Sequence, residues 1–271
     1  MIGEQLLDRL DVWLLFILLV MVLFATAELG YHFGRRRQQR AGKSVFDKEE
    51  KQAGTLMGAT LGLLAFMLAF TYGAANSIHA ERKALVLEES NAIGTAWLRA
   101  RFFLQDAQVE VVDRLLREYV DTRIEGARSK DSEELSRAIE HSERILDDLW
   151  AVTVKQVRTV KDTASIALFT AAVNEVIDLH SKRINAAHQR IPLIIMATLL
   201  FISLVTLSMM GYQSGLNGVR TLLPRIGLIL AFSAVMLLIT DLDRPGQGLI
   251  SVSQRTMVDL QTSMARYKAH P

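Results

Sequence analysis

Polar side chains almost vanish from four stretches of this chain, and between the second and third they return with helical spacing. Residues 12–27 are apolar, and the run extends to Phe33 with two polar interruptions. Residues 53–78 and 191–219 contain no charged side chain. Residues 226–240 form a shorter fourth run, which Leu222 and Leu223 can lengthen. A bilayer's hydrocarbon core of about 30 Å takes roughly 20 apolar residues in helical form. Backbone groups in lipid must be satisfied within their own segment, so each run is expected to be a helix. None alternates apolar with polar as a membrane strand does. The expected fold class is an all-α membrane protein, with four transmembrane helices plus an extramembrane antiparallel helical bundle between spans two and three. The expected divisions are 1–78 (two spans and a basic loop), 79–190 (the bundle), 191–240 (spans three and four) and 241–271 (a turn and an amphipathic helix).

The bundle is read from periodicity. After residue 2, no proline occurs before Pro192, so nothing breaks a helix by that route. A first helix continues out of span two from His79 to about Leu104. A second carries Val109, Val112, Leu116, Tyr119 and Val120. A third starts near Asp131, with Ser132 as a candidate cap, and carries Leu135, Ile139, Ile145, Leu146, Leu149 and Trp150. A fourth carries Phe169, Val173, Val176, Ile177, His180 and Ile184 and feeds span three at Pro192. Breaks are expected at Gln105–Asp106, between Gly126 and Lys130, and near Asp162. The chain leaves the membrane and must return to it, which three reversals achieve and two do not. The alternative is a second-span helix unbroken as far as Gly126. Short loops between neighbours favour the up-down bundle.

Charge sets an expected orientation. The connection GRRRQQRAGKSVFDKEEKQ between spans one and two carries Arg35, Arg36, Arg37, Arg40, Lys43, Lys48 and Lys51. Short basic loops of this kind stay in the cytoplasm, and Arg220 and Arg225 fall on the same side. The N-terminus, bundle and C-terminus are then expected outside the cytoplasm. The same cations could also attract anionic lipid heads. The acidic start MIGEQLLDRLD is unlike the basic flank of a cleaved signal peptide, so the first run is read as retained. There is no cysteine among the 271 residues, which removes disulfides and thiolate chemistry. Formal net charge is +2, too little to suggest nucleic acid as a partner.

Three groups of residues could carry chemistry. In span two, Gly54, Gly58 and Gly62, with Ala65, Ala69, Gly73 and Asn76, form a small-residue stripe that allows close helix packing. Leu63, Phe66 and Phe70 lie on another face. The stripe is expected to pack against another span of the same chain. The functional alternative places span two at the centre of an oligomer, with Leu63, Phe66, Phe70, Gly73 and Asn76 lining a constriction that gates by dewetting. Beyond the membrane, Glu88, Asn91, Thr95 and Arg99 share a helix face, flanked by Glu89 and Arg101. Asp241, Asp243 and Arg244 follow span four. These two groups are read as one polar cluster, Arg99 pairing with Asp241 or Asp243 and Glu88 or Glu89 with Arg244. Last, Glu28 and Arg225 lie near membrane ends and are expected to snorkel to the interface.

Enzyme signatures are missing: there is no HExxH, Walker loop, GxSxG or GxGxxG. No Glu-x-x-His pair suggests a bundle metal site, so neither a cofactor nor catalysis is expected.

The pieces LLAFMLAFTYGAANSIHAERKALVLEESNAIGTAWLRARF and ITDLDRPGQGLISVSQ resemble the bestrophin-like family of uncharacterised bacterial membrane proteins. The family label assigns no activity. The resemblance implies kinship to bestrophins, which are pentameric anion channels with four spans and a second span lining the pore. It therefore implies a bacterial inner-membrane homo-oligomer that handles ions, with Phe66 and Phe70 at a neck. Bestrophins carry their helical domain in the cytoplasm, opposite to the side that the basic loop predicts. The alternative reading is a membrane-anchored sensor or interaction protein whose bundle binds a ligand or partner.

Overall fold

The computed structural model describes residues 11–40, 43–129, 131–159, 163–220, 222–244 and 248–267. Its helices are α1 (Val12–Arg40), α2 (Lys43–Phe103), α3 (Asp106–Arg128), α4 (Ser132–Thr159), α5 (Thr163–His188), α6 (Leu193–Leu216), α7 (Leu222–Asp243) and α8 (Arg255–Tyr267). Four stretches are long and apolar enough to cross a membrane, in α1, in α2, in the residues leading into α6, and in α7. The chain is an all-α membrane protein with an antiparallel helical bundle between spans two and three. It separates into two compact units. One gathers the described residues up to Ser77 with Arg190–Arg244, and the other gathers Ile78–Gln189 with the described residues that follow Arg244.

In the membrane unit, α1 and α6 approach through two pairs of glycines. A Cβ at Gly30 would collide with the Ser208 carbonyl, and one at Gly34 with the Tyr212 carbonyl. From the other side, Gly211 faces the Ala27 carbonyl and Gly215 the Tyr31 carbonyl. Each pair is spaced four apart, so both helices present a side-chain-free stripe, and dispersion between backbones holds them. Leu23, Ala27, Leu207 and Ile229 close the core around this contact. Pro224 falls in the first turn of α7, where its missing N–H costs no hydrogen bond. Pro192 stands at the start of α6, and Ile191 N donates to Asp243 Oδ1 at 2.7 Å, tying that start to the end of α7.

The bundle unit is built on amphipathic helices. α2 supplies Leu85, Ala92, Ile93, Ala96, Trp97 and Ala100 to its core; α3 supplies Val112, Leu116, Tyr119 and Val120; α5 supplies Phe169, Val173 and Val176. The α2–α3 break falls at Leu104–Gln105, where Gln105 is extended, so α2 does not continue to Gly126. At the start of α4, Asp131 Oδ1 accepts from Glu133 N at 3.1 Å, while the side chain of the candidate cap Ser132 lies outside what is described. The break expected near Asp162 and the turn at Pro245–Gly246 fall outside the described residues. α8 belongs to the same core, burying Met257 and Met264. Its attachment is polar as well, because Ser90 Oγ donates to Thr256 O at 3.0 Å and Arg117 Nη2 to Met264 O at 2.5 Å.

Candidate functional site

Within the membrane unit, α2 buries a narrow stripe of Ala53, Leu64, Leu68, Thr71 and Ala75. Met57, Leu61 and Met67 are partly covered, and most of its other apolar residues are exposed. Phe66 is 66% and Phe70 64% exposed, and Leu63, Gly73 and Asn76 are exposed with them. Ala65 and Ala69 are exposed too. No atom outside the local helix lies within 4 Å of a Cβ built at Gly58, Gly62 or Gly73, and only Gly54 meets a neighbour, the Gln213 side chain. The expected packing of this stripe inside the chain is therefore not found at Gly58 or Gly62. That close approach occurs instead between α1 and α6, at Gly30, Gly34, Gly211 and Gly215.

The bundle holds a buried carboxylate. Glu89 is wholly enclosed, with 0% of its side chain exposed. Tyr119 Oη donates to its Oε1 at 2.6 Å, and Arg123 Nε lies 3.3 Å from the same oxygen. Arg183 Nη1 donates to Oε2, and its Nη2 donates to Gln254 Oε1 at 3.3 Å. Tyr119 Oη also meets His180 Nδ1 at 2.9 Å. Since the hydroxyl proton goes to Glu89, Nδ1–H is the donor in that contact, which leaves His180 Nε2 as a bare acceptor; that buried atom has no hydrogen-bond partner. The site thus ties α2 to α3, to α5 and to the segment before α8.

Electrostatics follow from these contacts. Burial pushes the Glu89 carboxyl up, but the charges of Arg123 and Arg183, with hydrogen bonds from Tyr119 and Arg183, outweigh it and hold the group below its ordinary value. Burial, then Glu89, pushes the Tyr119 hydroxyl well up. Burial, with Arg123 next, lowers His180 to about 4, so the imidazole is neutral at pH 7. Two guanidiniums face one carboxylate, and the arrangement is an ion-paired joint. A second joint sits nearby in the same unit. Asp113 accepts from Trp97 Nε1 at 2.6 Å, Arg101 Nη2 at 2.7 Å and Arg117 Nε at 2.7 Å. Burial opposes its ionisation, yet Arg117, Trp97 and Arg101 bring it down to about 2. Arg101 lies 4.4 Å from both the Trp97 and the Tyr267 ring centroids, beside an edge-to-face ring pair whose centroids are 5.2 Å apart, which pins α8.

The expected polar cluster is redrawn residue by residue. Glu88, Asn91 and Thr95 are exposed, so that face carries no buried chemistry. Glu89, placed on the flank, is the buried member, and its partners are Arg123 and Arg183 rather than Arg244. Arg99 Nη1 donates to Leu168 O at 2.7 Å. Asp243 Oδ2 lies 3.7 Å from Arg190. Asp241 and Arg244 are buried in the membrane unit. Arg225 does not snorkel: its side chain is 0% exposed and donates to Glu28 Oε1 at 2.7 Å, whereas Glu28 stays partly exposed and also accepts from Arg220. In the sequence Tyr119 and His180 are members of apolar stripes, and a polar group on each inward face is the signal available there.

A bestrophin-like domain model matches residues 14–257. Among solved structures, a bacterial bestrophin homologue from Klebsiella pneumoniae superposes with a TM-score of 0.65 at 15% identity, covering 96% of this chain and 100% of that one. A singly substituted form of the same homologue gives 0.65 at 14%, covering 96% and 99%. A structure described only as a membrane protein gives 0.66 at 15%, covering 96% and 100%. At such identities the likeness speaks for the fold alone. No curated protein sequence matches.

Proposed function

We propose, from the premise that this chain belongs to the bestrophin-like family, that it assembles into a homo-oligomeric ion channel with α2 at the axis. The observation that carries this reading is the uncovered face of α2. Phenylalanines on a lipid-facing surface are ordinary, but glycines and Asn76 gain nothing there, because an amide in hydrocarbon lacks partners. A shared aqueous axis accounts for both: Asn76 meets water, and Leu63, Phe66 and Phe70 narrow the path into a constriction that dewets when tight. Glu89 and its arginines fix the continuation of α2 within the bundle unit. The cell membrane of a bacterium is the expected location. The basic connection between α1 and α2 supports a bundle outside the cytoplasm.

The test exploits the absence of cysteine. Phe66→Cys and Leu18→Cys variants are reconstituted in planar bilayers and exposed to a charged thiol reagent. The current should change for Phe66→Cys and stay unchanged for Leu18→Cys, which sits on an exposed face of α1. A silent bilayer at every salt, pH and voltage would remove the channel reading. A cysteine at Ser129, labelled in intact cells, decides the side.

A second reading, a bundle that binds a ligand or partner, is favoured by a cleft of about 1370 Å³ along α3 and α4. Arg114, Arg137 and Arg144 line it together with Glu110 and Glu125. Pull-down from native membranes discriminates: a stable foreign partner with no self-association supports this second reading.

A further inference from the structure

Two arginines, Arg220 and Arg225, converge on Glu28 where α6 connects to α7, and a third, Arg35 of α1, packs on the same connection at Gly218. Gly218 turns with φ of 68°, and a Cβ there would lie 2.6 Å from Arg35 Nη1, so the connection packs directly on that guanidinium. Arg35 is held in turn by the Gln38 amide oxygen. Arg220 lies 5.1 Å from the Tyr31 ring centroid and donates to Glu28 Oε2 at 3.2 Å, yet 52% of its side chain is exposed. Arg225 takes Glu28 Oε1 at 2.7 Å, and its Nε and Nη2 are buried with no acceptor in the protein. Arg220 and Arg225 share the one carboxylate of Glu28, and Arg35, held by a neutral amide, adds a third cation, so the corner carries two positive charges in excess.

The corner also has a defined depth. It lies where the apolar run of α1 gives way to arginines, and where α6 ends at Leu216 and α7 begins at Leu222. Val219 and Leu223, on either side of Arg220 in sequence, are exposed and apolar. An amphiphile at this level would meet cations at its head and carbon along its tail.

We infer that this corner binds the phosphate of an anionic phospholipid headgroup, with Arg35 and Arg220 as its exposed donors and Arg225 fixed behind them by Glu28. Guanidinium forks match phosphate oxygens two at a time. Tyr31 and Gln38 hold the two forks in place, so little side-chain freedom is lost on binding. A flexible polybasic tail also attracts anionic lipid, but without regard to which arginine is removed. That difference makes the site testable.

The full chain in detergent is titrated with short-chain phosphatidylglycerol and, separately, phosphatidylcholine, and bound lipid is counted by native mass spectrometry. Phosphatidylglycerol should be retained in preference. Arg35→Gln with Arg220→Gln should weaken it about 25-fold, about fivefold per arginine. Arg36→Gln with Arg40→Gln removes the same charge from exposed positions nearby and should change it little. Arg220→Lys keeps the charge beside Glu28 and loses the fork, and should fall between. Equal weakening by the two double variants, or Arg220→Lys binding as tightly as the parent, overturns the site. Equal retention of the two lipids does the same, and inorganic phosphate competing as well as phosphatidylglycerol at equal concentration overturns the lipid assignment.

Discussion

Glu89→Gln keeps the shape of the side chain and removes its charge. Arg123 and Arg183 then face each other with side chains only 10% and 12% exposed and no carboxylate between them. An amide oxygen can still accept one hydrogen bond, from Tyr119 or Arg183, but its NH₂ end would turn a donor toward the remaining donor. Removing one partner of a buried ion pair costs about 3–5 kcal/mol, most of it the penalty of an uncompensated buried charge. The neighbouring Glu88→Gln removes the same charge from an exposed position and should stay within about 0.5 kcal/mol. The pair is compared by pulse proteolysis of detergent-solubilised protein across a urea series, with cleavage read in the bundle. Glu89→Gln should shift the midpoint strongly and Glu88→Gln hardly at all. A further Arg183→Gln should restore part of the loss, because it removes one of the two stranded cations. Equal midpoints for the two single variants would show that the carboxylate at Glu89 is not the joint described here.

The other predictions concern pH, packing and the C-terminal helix. His180 has its folded pKa depressed to about 4 from an ordinary 6.5, so its contribution is fully present above pH 6.5 and is lost as pH falls toward 4. That loss approaches about 3 kcal/mol at about 1.4 kcal/mol per unit, and thermal melts from pH 8 to 4 should show a decline that His180→Asn flattens. Gly211→Ala places a methyl group against the Ala27 carbonyl and should cost about 1–3 kcal/mol or more. Gly58→Ala meets nothing within the chain, so the size-exclusion profile of the solubilised protein should suffer in the first variant and survive in the second. Arg101→Ala removes the cation that contacts both Trp97 and Tyr267 and one bond to Asp113; hydrogen exchange in α8 should accelerate while exchange in α6 does not change.

The four spans and the bundle helices were legible because burial in lipid and burial in a helical core each leave a periodic mark. The partners of those helices were not. Gly30, Gly34, Gly211 and Gly215 have the same four-residue spacing as Gly54, Gly58 and Gly62. Spacing on one helix says that a close neighbour is possible, not which helix supplies it, and the fold gave α1 and α6 to each other. Glu88 and Glu89 differ by one residue, or about 100° of helix rotation. Counting polar residues favoured the face of Glu88, whereas the apolar neighbours Leu85, Ala92, Ile93 and Ala96 mark the side of Glu89 as the interior. Tyr119 and His180 sat on two further apolar stripes, so three polar groups on three inward faces were visible in principle. Nearness to a membrane end suggests snorkelling for Arg225, and only the tertiary fold brings Glu28 beside it.

Particle images of the purified protein in lipid nanodiscs bear most directly on the proposed assembly. The reading predicts a closed ring with rotational symmetry in which α2 lies nearest the axis and Phe66 and Phe70 make its narrowest point. A monomer, or a ring with α1 or α7 innermost, would contradict it.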